Sequence, residues 1–331
     1  MASTEQTPRA PLQSEPAPSL FEKIAAQQAG ICLYGLAPPK LNTSAEQLAR
    51  IAAQQVQRLS QLQLDGLIVY DIQDEAERTA IPRPFPFLPT LPPETYAHGE
   101  LAALALPKVV YRCVQRDTRA SFIEWLDRAA ATPTLSVLVG APSGNASTGL
   151  GLRDAYGLVR QHPGQLTLGG VAIAERHEHR LDEHERMLAK VGAGCRFFVS
   201  QAVYDVTSTL SLLSDYAIAC DAAAAKPAPV VLTFSPCGSL PTLSFMKWLG
   251  VRFPRWLENE LRFAKDPLEV SLRSCERIFV EVWSYARSKR IPLGVNVESV
   301  SIRKPEIEAS IELARSLHHL VRTALAEDTT L

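Results

Sequence analysis

The sequence has no surplus of either charge: 34 lysines and arginines stand against 35 aspartates and glutamates, a formal net charge of -1. A general nucleic-acid binder needs a basic excess to neutralise phosphates, so that class is set aside. No stretch of about 18 apolar residues runs without a charge, so no membrane-crossing helix is expected. The first twenty residues, MASTEQTPRAPLQSEPAPSL, lack the apolar centre of a secretory signal. Rich in Pro, Ser, Thr and Ala, residues 1–22 read as a disordered tail. The six cysteines include no C-x-x-C pair, and Cys32, Cys113, Cys195 and Cys237 sit in or beside apolar runs. That is the pattern of buried thiols in a reducing cytoplasm, not of a disulfide framework.

What is present is a repeat of apolar runs, each but one with a helical segment behind it. The runs are Gly30–Leu36, Asp65–Ile72, Lys108–Val114, Thr134–Ala141, Leu166–Ala174, Cys195–Val203, Pro229–Ser235 and Ile291–Glu298. They are rich in Val, Ile, Leu and Phe and mostly do not alternate, as strands buried on both faces of a parallel sheet do not. Eight such units fit a single (β/α)8 barrel over 23–331, with a helical insertion after strand seven at Leu240–Ser288. The competing open doubly wound sheet would carry a Gly-rich first turn. Here that turn is Leu36-Ala37-Pro38-Pro39-Lys40. Trp248, Trp256 and Trp283 in the insertion leave open packing inward or against a second copy of the chain.

A barrel puts its chemistry at the C-terminal ends of its strands. Asn296 and Glu298 end strand eight on one face, where a carboxylate can serve as acid or base. The plain alternative for Glu298 is an ion pair with Arg303 or Lys304. Gln201 ends strand six, and its amide can both donate and accept. Glu175-Arg176-His177-Glu178-His179 reads as a polar loop after strand five. His177 and His179 could chelate, but no third ligand follows at a recognised spacing, and no metal is expected. Gly140–Asn145 could cradle a phosphate, although it lacks the lysine of a P-loop. The Pro-rich stretch Ile81–Pro89 is a stiff extended segment that docks a partner or covers the mouth or side of the barrel.

Three patches in order carry a family resemblance. Gly170–Asp205 contains Glu175, His177, Lys190, Val191, Ala193, Gly194, Gln201 and Asp205 at the places of a Pro-Glu-x-His, Lys-x-Val-x-Ala-Gly-Ala and Thr-Gln-x-x-x-Asp pattern. Ala37-Pro38-Pro39-Lys40 ends strand one, and Gly250–Trp256 follows strand seven. Together they resemble the methylenetetrahydrofolate reductases. The resemblance implies FAD, NAD(P)H as electron donor and reduced folate as substrate. It implies folate placement by Gln201; the further candidates on the substrate side are Asp205, from the matched pattern, Asn296, from its strand end, and Arg303, as a local cation for an anionic ligand. Glu175, His177 and Lys190 would meet the flavin.

The chain also departs from the family. Gly35 stands where the family has a Glu that helps protonate the folate. Val139-Gly140-Ala141 stands where it has Arg-Gly-Asp, which meets the flavin. Glu298 becomes the candidate for a relocated acid, from an opposite part of the ring of strand ends. Three readings follow: a divergent flavin-dependent reductase, a non-redox folate-binding paralogue, or a barrel enzyme of another class acting on a phosphorylated or acidic small molecule.

Overall fold

A computed structural model describes residues 18–74, 81–131, 134–140, 149–164 and 166–329. Eight parallel strands close on themselves in sequence order: β1 Cys32–Leu36, β2 Gly66–Val69, β3 Lys108–Cys113, β4 Leu135–Val139, β5 Thr167–Ala172, β6 Cys195–Ala202, β7 Val230–Phe234 and β8 Leu293–Glu298. The (β/α)8 barrel expected from the apolar runs is the observed fold. Closure pairs β1 with β8, in a register that sets Leu33 against Asn296 and Gly35 against Glu298.

The described helices are α1 Leu20–Ala25, α2 Ala45–Leu59, α3 Pro93–Thr95, α4 Arg119–Ala130, α5 Leu152–Gln161, α6 Ala174–Arg180, α7 Glu183–Gly192, α8 Val206–Ala222, α9 Leu240–Trp248, α10 Arg255–Phe263, α11 Pro267–Ser288 and α12 Lys304–Thr329. Sequence signals mark several starts. Ser44 caps α2 by accepting from the Gln47 amide, and Asp266 does the same for α11 from Glu269. Residues 18–22, read as part of a disordered tail, belong to an ordered helix start. Residues up to 17 lie outside the described residues, whereas Ser19 and Glu22 form a capping box that starts α1. Glu175–His179, read as a loop, is α6. Its composition, AERHEHR, has no apolar stripe to announce a helix.

The apolar interior has two layers. Residues between strands and helices form the larger cluster; a second fills the barrel axis with Leu33, Ile68, Val109, Tyr111, Leu135, Val137, Phe197, Val199 and Val231. Leu20 and Ile24 of α1 join that inner layer. The helix is held there by Lys23, whose ammonium donates to Asp65 at 2.7 Å while Asp65 also accepts the Cys32 amide. Since Asp65 and Cys32 precede or open their strands, α1 plugs the N-terminal end of the barrel. The opposite end is left for the site. No described helix is long and apolar enough to cross a membrane.

Candidate functional site

Inward positions alternate along each strand, so the apolar layers give way to polar residues as β7 and β8 approach the C-terminal mouth. Val231 is followed two residues on by Thr233, and Gly294 by Asn296 and Glu298. Asn296 is wholly buried. Its Nδ2 donates to Tyr70 Oη at 2.9 Å and to Thr233 Oγ1 at 3.2 Å. Its Oδ1 is buried with no hydrogen-bond partner. Glu298 interacts with the Tyr70 hydroxyl, which accepts from Asn296 and donates to the carboxylate. Burial pushes the Glu298 carboxyl up to about 7, against which the Tyr70 hydrogen bond pulls only partly. Burial and then the Glu298 charge push the Tyr70 phenol well above its ordinary value, so it stays a proton donor.

Gly35 makes this possible. A Cβ built there would lie 2.7 Å from Tyr70 Oη and 2.8 Å from Cε2. The missing side chain is the space the tyrosine occupies. Across the closure of the ring, position 35 is the register neighbour of Glu298. The expectation that Glu298 lies on an opposite part of the ring is corrected by that pairing. Nor is the carboxylate drawn to Arg303, which stands exposed on the loop after β8 with its backbone N–H on Ser301 Oγ.

Gln201 sits where β6 breaks register with β7, between Val199 and Ala202. The bulge turns its amide to α9, where Nε2 donates to the Leu249 carbonyl at 2.6 Å. Its Oε1 is buried without a partner. An unmatched buried amide oxygen costs on the order of 1–3 kcal/mol, so two of them at the strand ends mark acceptors held ready for donors.

The Pro-rich segment links the loop after β1 to the helix after β7. The Leu41 amide donates to the Pro89 carbonyl and the Leu91 amide to that of Pro39, both within 2.9 Å. At the other side Trp248 Nε1 donates to the Ile81 carbonyl at 3.0 Å, and Phe85 packs edge-on to Phe245. Arg83 lies between. Its guanidinium is 4.9 Å from the Trp248 ring and 5.2 Å from Phe87; Nε and Nη1 are buried with no hydrogen-bond partner, while Nη1 pairs loosely with the Asp74 carboxylate at 3.9 Å. Lys40 is close enough for Arg83 to depress its ammonium further, after burial has lowered it.

The remaining expected residues are not gathered here. Asp205 caps α8 by accepting the Ser208 amide, and it meets Arg252 Nε at 3.3 Å. It lines a separate cavity of about 510 Å³ with Glu178, Arg252 and Trp256. Glu175 accepts the Arg252 amide at 3.4 Å. His177 is wholly buried beside α8, its Nε2 3.0 Å from Asp215. Lys190 is held by the Val171 carbonyl. Glu175, His177 and Lys190 are thus each engaged by other parts of the protein and are not gathered around one cavity, although Lys190 lines a groove. That groove, of about 800 Å³ between α5 and α7, also carries Arg119, Arg153, Arg160, Arg176 and Arg186. Val139 belongs to the apolar axis. Ala141 and most of the Gly140–Asn145 loop lie outside the described residues. Tyr70 and Arg83 were not singled out by sequence. One looks like an apolar strand end and the other like a lone cation in a proline-rich stretch.

Fold and site together define a (β/α)8 barrel protein with an acid–amide cluster at its C-terminal mouth. No protein-family model matches the chain, and no curated protein matches it either. Among solved structures, an uncharacterized protein from Clostridium thermocellum that binds two copies of 5-methyl-5,6,7,8-tetrahydrofolic acid is 40% identical. The match covers 91% of this chain and 99% of that one, with a TM-score of 0.81. The chain belongs to the family of that protein. The HPPK-DHPS of Plasmodium falciparum with pteroate is 10% identical over 90% of this chain and 48% of its own, with a TM-score of 0.47. A GH10 endoxylanase from a sugarcane soil metagenome is 10% identical over 81% and 86%, with a TM-score of 0.44. Neither of these two carries an argument about function.

Proposed function

We propose that the chain binds a reduced folate at the C-terminal mouth of the barrel, with Glu298 as the acid facing the pterin. The observation that carries this is the orphaned amide oxygen of Asn296, two residues from a carboxyl poised near neutrality, with a second buried acceptor on Gln201 at the end of β6. A reduced pterin presents N–H donors on its 2-amino group, N3 and N8, which are what such acceptors need. Protonated, Glu298 donates to a ring nitrogen; ionised, it accepts from an N–H. Tyr70 holds it in place for either. The glutamate tail of a folate is anionic, and the buried donors of Arg83 with Lys40 nearby suit its carboxylates. The 40% identical relative, which binds methyl-tetrahydrofolate, supports the same ligand class.

The favoured form of this function is non-redox: holding or handing on a methyl-folate. Gly35 and Val139 remove the side chains through which the reductases would engage acid and flavin. Calorimetric titration with 5-methyltetrahydrofolate tests the proposal. Binding lost in Asn296→Leu and Gln201→Leu supports it, and no heat at high micromolar ligand sinks it.

A second reading keeps a flavin and reduction of 5,10-methylenetetrahydrofolate by NAD(P)H. It rests on the groove between α5 and α7, whose five arginines and Lys190 suit a dinucleotide pyrophosphate. The absorbance spectrum of purified protein after incubation with FAD decides it: no bound flavin band, no reductase. Six buried free thiols suit a cytoplasmic setting.

A further inference from the structure

A cluster of ligating side chains lies outside the barrel mouth, among residues that the proposed folate site does not use. His177 ends the buried face of α6, His184 opens α7, and Asp215 lies midway along α8. One ligating atom from each falls within 4.8 Å of the other two. The sequence pairs His177 with His179, two residues on, but His179 is exposed. The turn between α6 and α7 makes the true partner. Leu181 adopts a left-handed conformation at φ 55, and its amide donates to the His177 carbonyl at 2.7 Å. The chain doubles back there, and the His177 and His184 rings meet edge-on at 5.3 Å between centroids.

We infer that His177, His184 and Asp215 form a binding site for one divalent transition-metal ion of the zinc class. Three observations support it. The donor set, two imidazoles and a carboxylate, is one that zinc takes with an open fourth position for water. His177 Nε2 and Asp215 Oδ2 are already 3.0 Å apart. That is near the roughly 3.3 Å that separates ligand atoms on a tetrahedral ion with ~2.0–2.1 Å bonds. Third, His184 Nδ1 is buried with no hydrogen-bond partner, a nitrogen that the fold leaves unused. One His–Asp hydrogen bond would pin α6 to α8 and leave His184 without a role. A metal ion uses all three residues and ties α6, α7 and α8 together. Neighbouring charges do not compete for it: Arg176 is held by Glu183 and Arg186 by Asp182.

Cobalt(II) is the probe, on tag-free full-length protein stripped with a chelator. The expected result is saturable binding of one equivalent, with the intense visible bands of a tetrahedral ion and displacement by zinc. No thiolate-to-cobalt band should appear in the near ultraviolet, because all six cysteines are buried elsewhere. His184→Ala should weaken binding about 100-fold or more, since even outer-shell losses at metal sites cost 10–100-fold. Asp215→Asn, which keeps the shape and a hydrogen bond to His177, should weaken it as well. The metal should raise the unfolding temperature of the wild type only. Absent saturable binding by the wild type, an octahedral spectrum, or wild-type affinity in both variants overturns the inference. Folate titrations of the same samples are independent of it.

Discussion

Glu298→Gln should remove a pH dependence of stability that the wild-type protein carries. The folded carboxyl titrates near 7, against an ordinary value of 4.5. Between those limits the folded protein holds a proton that the unfolded chain has released. Wild-type stability therefore falls as pH rises from about 4.5 to about 7 and levels off above. Each unit is worth ~1.36 kcal/mol, so the full span comes to about 3 kcal/mol. Because Glu298 keeps part of its surface at the mouth, that figure is a ceiling. The amide keeps the Tyr70 hydrogen bond and cannot ionise. Urea unfolding of both proteins at pH 5 and pH 8 isolates the effect, since every other titrating group cancels in the difference. The variant should match the wild type at pH 5 to within about 1 kcal/mol and gain on it by up to about 3 kcal/mol at pH 8. A gap that does not widen with pH refutes the buried-acid assignment, and with it the idea that this carboxyl is tuned for proton transfer near neutrality.

Other perturbations test neighbouring claims. Gly35→Ala drives a methyl group into Tyr70 at 2.7 Å. It should weaken folate binding at least tenfold and return the Glu298 titration toward the ordinary range, read by the same pH series; unchanged binding would remove the glycine's role. Leu20→Ala or Ile24→Ala, at the plugged end of the barrel, should each cost about 2–5 kcal/mol in denaturant unfolding while leaving ligand affinity alone. Burial raises all six thiols, Cys32 and Cys237 to about 12. A thiol reagent at pH 8 should label none of them in native protein and six after denaturation, and rapid native labelling would contradict the packing.

The barrel was legible because its strands are buried on both faces, which leaves continuous apolar runs that no other element imitates at that spacing. The position of Glu298 and Asn296 at the mouth was legible from alternation alone, and that of Gln201 from the end of its apolar run. What escaped is nonlocal or compositionally silent. Tyr70 acquires its role only because Gly35, on a neighbouring strand, vacates the space for it. Arg83 depends on aromatic rings from α9, over 160 positions away. α6 has no apolar periodicity because one buried histidine supplies its inner face. The flavin roles that the resemblance implies for Glu175, His177 and Lys190 rest on pattern, and pattern does not say which way a helix turns its side chains.

The seam between β1 and β8 has a consequence in time. Gly35 and Glu298 are register neighbours in space, yet a ribosome working at ~5–20 residues per second makes them between roughly ten and fifty seconds apart. The carboxyl beside Tyr70 is thus among the last parts of the barrel to be made. On the proposed reading of the mouth, its full set of ligand contacts exists only once β8 has been synthesised and has closed the ring.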